Sequence, residues 1–388
     1  MNIELFTADI LKQVAPPSKM SSALFDLSVG APDEASLPND ALLNALQEIL
    51  HHDPVNALIY AGTSGYIDLR SWIATTYASS ENTFSSDNVS LVSGSAHGLD
   101  NIARTFLDPN DFVLMSSPTY PGAIRTFQSC GAKIIDIPSD KLGIDLNYLE
   151  DLLSNYKNQN KKIKMLYVVS SYNNPSGMSI SNDQKKSLVE LCEKYSVLIV
   201  DDRAYSMITF ENNPDPSLST IYPSENIIEV GTFSKTIATG IRVAWIMASK
   251  SIITNLNLMR FDNGGSSLMQ RMVFNFVNSA HYSEHLINVK NIYERKRDIV
   301  SDALKKYCSD YVEFDIPQGG FYHWVKIKNG LSNSILVENA LMQGVGINVG
   351  NIYFVNRDDT EHFRIVYSKL KESDLENAVK ILSTCFKN

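Results

Sequence analysis

Residues 229–245, EVGTFSKTIATGIRVAW, decide the fold. Ile227, Ile228 and Val230 read as a buried strand, and VAWIMAS (243–249) reads as another. Between them stand Thr232, Ser234, Lys235 and Arg242. A lysine at the end of a buried strand costs free energy unless its amine reaches solvent, finds a partner or is used covalently. Two outcomes stay open at this point: a head group led out to water, or a Schiff base with a carbonyl cofactor. The flanking hydroxyls and the guanidinium are the donors a phosphate needs, and arginine can grip one bidentately.

Working outward, short β-branched runs recur at 88–94, 111–118, 132–138, 163–170, 197–202, 226–233 and 243–249. Amphipathic segments separate most of them. In KKSLVELCEKY, Leu188, Leu191 and Cys192 fall on one helical face. This alternation predicts an α/β fold, a mainly parallel seven-stranded sheet between helices. The pattern changes near residue 285, where HLINVKNIYERKRDIVSDALKKY predicts a long helix, followed by the antiparallel-looking VEFDIP, GGFYHWVKI and FRIVYS. The expected division is a large domain over 46–284 and a smaller α+β domain from 1–45 and 285–388.

Three other strand ends carry polar groups. VLIVDDRAY closes on Asp201 and Asp202. Carboxylates there either cap a turn or face a cation, and the protonated pyridine of pyridoxal 5′-phosphate is one such cation. VVSSYNNPSGMS runs into an Asn-Pro turn whose Asn174 amide can donate to a bound group; a plain turn explains it equally. VSGSAHGLD leads from a strand into a helix whose N-terminus, with Ser95 and the Ala96 amide, can hold an anion. Its spacing is neither a P-loop nor a dinucleotide fingerprint. The spacing of Gly344, Gly346 and Gly350 follows a helical segment, so it is not read as a nucleotide site. His97 reads as a packed or solvated residue.

The 388 residues carry a net charge of −9, with 44% hydrophobic and 20% charged positions. A folded protein with no nucleic-acid partner is expected, since phosphate neutralisation needs clustered Lys and Arg. Cys130, Cys192, Cys308 and Cys385 form no CxxC pair, which predicts reduced thiols, no metal site and a cytoplasmic location. Neither a secretory leader nor a spanning helix is expected, so no membrane partner is either.

Taken in order, SGSAHGL, SPTYPGA, SYNNPSG, VDDRAY, GTFSKTIATGIRVAW, GGFYHWV and FRIVYS resemble the fold-type I pyridoxal-phosphate aminotransferases of class I/II. The resemblance is strongest to the 2-aminoadipate and kynurenine aminotransferase subgroup and runs from about Leu27 to the C-terminus. It implies that Lys235 forms the internal aldimine and shuttles the substrate proton. Asp202 would face the pyridine nitrogen, Tyr205 and Asn174 the phenolic oxygen, and Tyr120 would stack on the ring. Ser95, the Ala96 backbone, Thr232, Ser234 and Arg242 would hold the phosphate. Arg364, aided by Asn174, would take the substrate α-carboxylate, and Gly30 belongs to a loop that closes over substrate. Tyr60 would reach the phosphate of a neighbouring subunit, which implies a homodimer with shared sites.

Four positions depart from the family pattern. Ala96 lacks a polar side chain, Ser176 replaces a threonine, Val349 stands at a usual proline, and Tyr353 replaces a phenylalanine. The implied activity moves the amino group of an L-α-amino acid to a 2-oxo acid, with 2-oxoglutarate the expected acceptor. An oxygen-dependent oxidase or deaminase, a cyclase and a β-lyase use the same core residues and remain alternatives. A DNA-binding regulator built on this fold is disfavoured by the short stretch before Leu27 and the acidic balance.

Overall fold

The computed structural model describes residues 3–16, 22–77, 84–140, 143–211, 215–356 and 358–387. All seven expected strands form, and they lie in one sheet. Its order is Val89–Val92, Ala244–Met247, Ile227–Thr232, Leu198–Asp202, Ile163–Val168, Phe112–Ser117, Lys133–Asp140 and Gly143–Ile144. The last is a two-residue addition at the edge, antiparallel to its neighbour, that sequence reading passes over. The five strands from Ile227–Thr232 to Lys133–Asp140 run parallel. Ala244–Met247 runs against both of its neighbours.

Side chains alternate across the pleat, so the same strands feed two cores. Val113, Met165, Val200 and Ile228 pack on one face with Leu99, Ile102 and Ile252 from helices. Leu114, Leu166, Ile199 and Ile227 pack on the other with Leu149, Leu153 and Leu188. Each such buried aliphatic contributes about 1.5–3 kcal/mol relative to exposure, which is why both faces are covered. Asp145 and Ser181 accept the N–H groups of Tyr148 and Gln184, starting the helices Leu146–Asn158 and Asn182–Lys194 where the chain must turn back over the sheet.

The long helix is Ala280–Cys308. Beyond it, Val312–Phe314, Tyr322–Ile327, His362–Val366 and Asn348–Val349 form a four-stranded antiparallel sheet. Leu27 joins the core of this region, and Phe25–Asp26 pairs in parallel with Val345–Gly346. Helix Asn39–His52 runs through position 45, and its buried Ala45 and Ile49 lie in the same core as Met272 and Val273 of helix Ser267–Val277.

The parallel strands all end on one side. Residues that follow them, or that precede the antiparallel strand Ala244–Met247, therefore gather at one edge. Tyr120 comes after Phe112–Ser117, Asn174 after Ile163–Val168, Asp202 ends Leu198–Asp202, Lys235 follows Ile227–Thr232, and Arg242 precedes Ala244–Met247.

Candidate active site

At that edge lies a cavity of about 830 Å³. Lys235, Asp202, Tyr205, Tyr120, Asn174 and Arg364 line it, together with Ser95, Ala96, Ser234, Arg242 and Gly30. Thr232 stands one step behind: its Oγ1 donates to Ser234 Oγ at 3.0 Å and accepts the Ser234 N–H at 3.1 Å. It fixes the turn and the hydroxyl that reaches the cavity. Tyr60 lies apart from this cavity, 78% exposed, in a shallow depression beside Arg271.

The pleat separates the two adjacent aspartates. Asp201 turns to Ser170, accepting its N–H at 3.2 Å and its hydroxyl at 2.9 Å. Asp202 turns the opposite way, into the cavity, where it accepts from Tyr167 Oη at 2.8 Å and from the Ala204 N–H at 3.1 Å. One Asp202 oxygen thus caps the turn that follows, while the residue also lines the cavity. Burial pushes the Asp202 carboxyl up to about 6, against the pull of the Tyr167 hydrogen bond.

Lys235 Nζ donates to the Gly30 carbonyl at 2.9 Å and lies 5.7 Å from the centre of the Tyr205 ring. Burial brings its amine down to about 8; Asp202 opposes this, while Arg364 and Arg242 add to it. Gly30 is glycine for want of space, since a Cβ there would sit 2.3 Å from Tyr322 Oη. Tyr322 in turn shares a short hydrogen bond with Tyr205.

Gly94, at φ +91°, precedes helix Ser95–Phe106, and a Cβ on it would come within 2.0 Å of Arg242 Nη2. The missing side chain lets the guanidinium, which donates to Ser93 O at 3.2 Å, lie against the start of the helix. Arg242 itself adopts φ +52° to do so. Helix N–H groups, Ser95, Ser234 and Arg242 thus converge into an anion cradle. Opposite, Arg364 Nη1 donates to Asn174 Oδ1 at 2.7 Å and Nη2 to the Ser28 carbonyl, while its buried Nε has no partner among the described residues. Tyr322 and Tyr353 flank this guanidinium, their ring centres 4.4 and 5.2 Å away.

The model of aminotransferase class I and II matches residues 22–382. The chain belongs to that family. An aromatic-amino-acid aminotransferase of Thermococcus litoralis is 26% identical over 95% of this chain and 89% of its own. The multiple substrate aminotransferase of Thermococcus profundus superposes with a TM-score of 0.92 at 28% identity, covering 100% of this chain and 98% of its own. Pyrococcus horikoshii kynurenine aminotransferase, solved in complex with PMP, gives 0.91 at 26%, with the same coverage. The protein is therefore a fold-type I aminotransferase of class I and II, and its cofactor is pyridoxal 5′-phosphate. These relatives favour transamination over the oxidase, cyclase and lyase outcomes.

The cavity of this aminotransferase fits that cofactor. Asp202 is a buried carboxylate with only neutral donors on it, as a site awaiting a cationic ring nitrogen requires. The anion cradle and Lys235 line the same cavity.

Sequence reasoning passes over Tyr167, Tyr322 and Asn348. Tyr167 sits inside an apolar strand run and carries no signal of its own. Tyr322 follows the Gly-Gly-Phe of a quoted motif, where its alternation opposite Phe321 was the available clue. Of the departures, the fully buried Tyr353 lies against Arg364 and accepts from Asn348 Nδ2 at 3.3 Å, while Val349 pairs with Phe363, the residue before Arg364.

The lowered Lys235 amine gives a pH prediction. Below about 8 the amine holds its proton and has no free lone pair, and above it the lone pair is available. Uptake of pyridoxal 5′-phosphate by the cofactor-free protein, followed by absorbance, is expected to speed up as pH rises from 7 to 9, with a midpoint near 8. An ordinary surface lysine would still be gaining rate at pH 10.

Proposed function

We propose that this enzyme transfers the amino group of an L-α-amino acid to a 2-oxo acid, with 2-oxoglutarate as acceptor, in amino-acid metabolism and biosynthesis. One observation carries the reading: an amine of lowered basicity, a buried carboxylate and a buried guanidinium, Lys235, Asp202 and Arg364, face one cavity beside an anion cradle. When bound, the cofactor supplies an aldehyde that condenses with amines and a protonated pyridine that draws electrons from the carbon attached to nitrogen.

In this proposal Ser95, the Ala96 N–H, Ser234 and Arg242 hold the phosphate, with Thr232 fixing the Ser234 turn. Tyr120 stacks on the ring, while Asn174 and Tyr205 face its phenolic oxygen. Asp202 keeps the ring nitrogen protonated, because giving up that proton would leave a buried carboxylate without its cation. Arg364 binds the substrate α-carboxylate and so orients the Cα–H bond toward Lys235. The Lys235 amine would be the base that takes the proton from the substrate Cα and holds it for return. Gly30 places its carbonyl on that amine and belongs to the segment that closes over substrate.

The same proposal includes a lobe of residues 46–284 and a lobe of 1–45 with 285–388, a homodimer, and a cytoplasmic location. The four cysteines are free, and no helix of the described residues is long and apolar enough to cross a membrane. Support for the dimer comes from Val55, Leu58, Ile59 and Tyr60, which expose a run of apolar surface beside the depression that holds Tyr60. Leu58→Asp is expected to weaken self-association at least about 30-fold, the effect of a buried interface anchor, as read by analytical ultracentrifugation. Activity should fall with the dimer if Tyr60 completes the partner's phosphate site.

The transamination itself is tested by half-reactions. A panel of acidic, aromatic, branched and basic amino acids is mixed with holoenzyme while the cofactor spectrum is followed. At least one donor should convert the cofactor to its pyridoxamine form, and 2-oxoglutarate should restore the starting spectrum. Oxygen uptake without any 2-oxo acid, or release of ammonia and pyruvate, would contradict it.

A further inference from the structure

Four cations line the cavity, Arg125, Lys235, Arg242 and Arg364, against one acid, Asp202, among the described residues. The proposed function occupies three of them, with phosphate, cofactor aldehyde and α-carboxylate. Arg125 is left over. We infer that Arg125 recognises a second carboxylate on the substrate, which makes the site selective for dicarboxylic amino acids and 2-oxo acids. The inference rests on the aminotransferase reading above and names the residue that would set its substrate class.

Helix Pro121–Ser129 starts directly after Tyr120. Pro121, Arg125 and Gln128 all line the cavity, four and three residues apart, on one face of that helix. The Arg125 Cα lies five residues, about 7.5 Å of helix rise, beyond Tyr120, and both side chains line the same cavity. Arg364 lines that cavity too, so a diacid held by Arg364 at its near end shares the space with Arg125.

The state of the guanidinium supports this. Its Nε donates to the Ala15 carbonyl at 2.8 Å, and the Ala15 N–H donates to Gln128 Oε1 at 3.1 Å. The peptide at Ala15 thus fixes the guanidinium through its Nε. The terminal nitrogens have no protein partner, and no carboxylate pairs with Arg125, among the described residues. A half-buried guanidinium with a free two-nitrogen edge is the arrangement that takes a carboxylate bidentately. The competing role, a pin for the segment around Ala15, uses only Nε and leaves that edge unexplained.

The test is calorimetric titration of holoenzyme with unreactive acids: glutarate and adipate against butyrate, valerate and hexanoate. Wild type should bind the diacids at least about tenfold more tightly than the monoacids, the worth of one charge-assisted pair. In Arg125→Gln the ratio should fall to near one, the loss falling on the diacids, and Arg125→Lys should retain part of the preference. A ratio near one in wild type, an unchanged ratio in Arg125→Gln, or equal weakening of both acid types would overturn the inference. The last outcome would assign Arg125 to the pin alone. Failure of every acid to bind wild-type holoenzyme would instead contradict the α-carboxylate site at Arg364, and this inference with it.

Discussion

Lys235→Ala is expected to lower transamination at least about 10⁴-fold, measured as single-turnover conversion of the cofactor by a good donor, because one residue loses two tasks. In the proposed function the amine is both the covalent anchor and the base that meets the substrate Cα. No other lysine lines the cavity among the described residues, so nothing replaces it. The variant should still bind the cofactor through Arg242, Ser234 and the start of helix Ser95–Phe106. Retained binding with lost turnover separates a chemical role from a folding defect. Unchanged melting temperature without cofactor would complete the separation. Lys235→Ala activity within about tenfold of wild type would remove the residue from the mechanism.

The second large effect is Asp202→Asn. The amide keeps the shape, its oxygen accepting the Ala204 N–H and its NH2 turning to the Tyr167 oxygen as a donor, but it removes the only negative charge on the cavity wall among the described residues. Breaking a buried charge pair costs about 3–5 kcal/mol, so the rate of Cα proton removal should fall roughly 10²–10⁴-fold. The effect should appear in turnover more than in the affinity for unreactive carboxylates, which Arg364 governs. Asp202→Glu restores the charge with a longer reach and should recover part of the rate. The sign with pH follows from the raised carboxyl. In the cofactor-free protein Asp202 takes up a proton as pH falls through about 6, and its attraction for a cationic ring is lost below that. Cofactor affinity should therefore decline on acidification through that range, and Asp202→Asn should flatten the dependence.

Much of this architecture is legible in the chain because the strands are short, apolar and separated by helical periodicity. All seven expected strands are present, and the polar residues that interrupt apolar runs at 202, 232–235 and 242 mark the sheet edge where the cavity forms. Burial on both faces makes each strand uniformly apolar, so a charged residue at a strand end is conspicuous.

What escapes sequence reading is held by contacts distant in the chain. The pairing of Phe25–Asp26 with Val345–Gly346 joins residues more than three hundred positions apart, and two-residue strands leave no periodic signature. Tyr167 looks like any core aromatic until Asp202 is placed beside it. Tyr322 gains its meaning only when Tyr205 and Gly30 are brought against its hydroxyl. Thr232 reads as a phosphate donor from spacing alone, yet the turn buries its hydroxyl on Ser234. Thr232 and Asp202 both end their strands, yet only Asp202 lines the cavity, and the backbone path decides which.

The most direct test of the account is to reduce the purified holoenzyme with borohydride and map its peptides by mass spectrometry. The cofactor mass should appear on the peptide containing Lys235 and disappear in Lys235→Ala. Attachment to a different lysine, or no attached mass after saturation with pyridoxal 5′-phosphate, would contradict it.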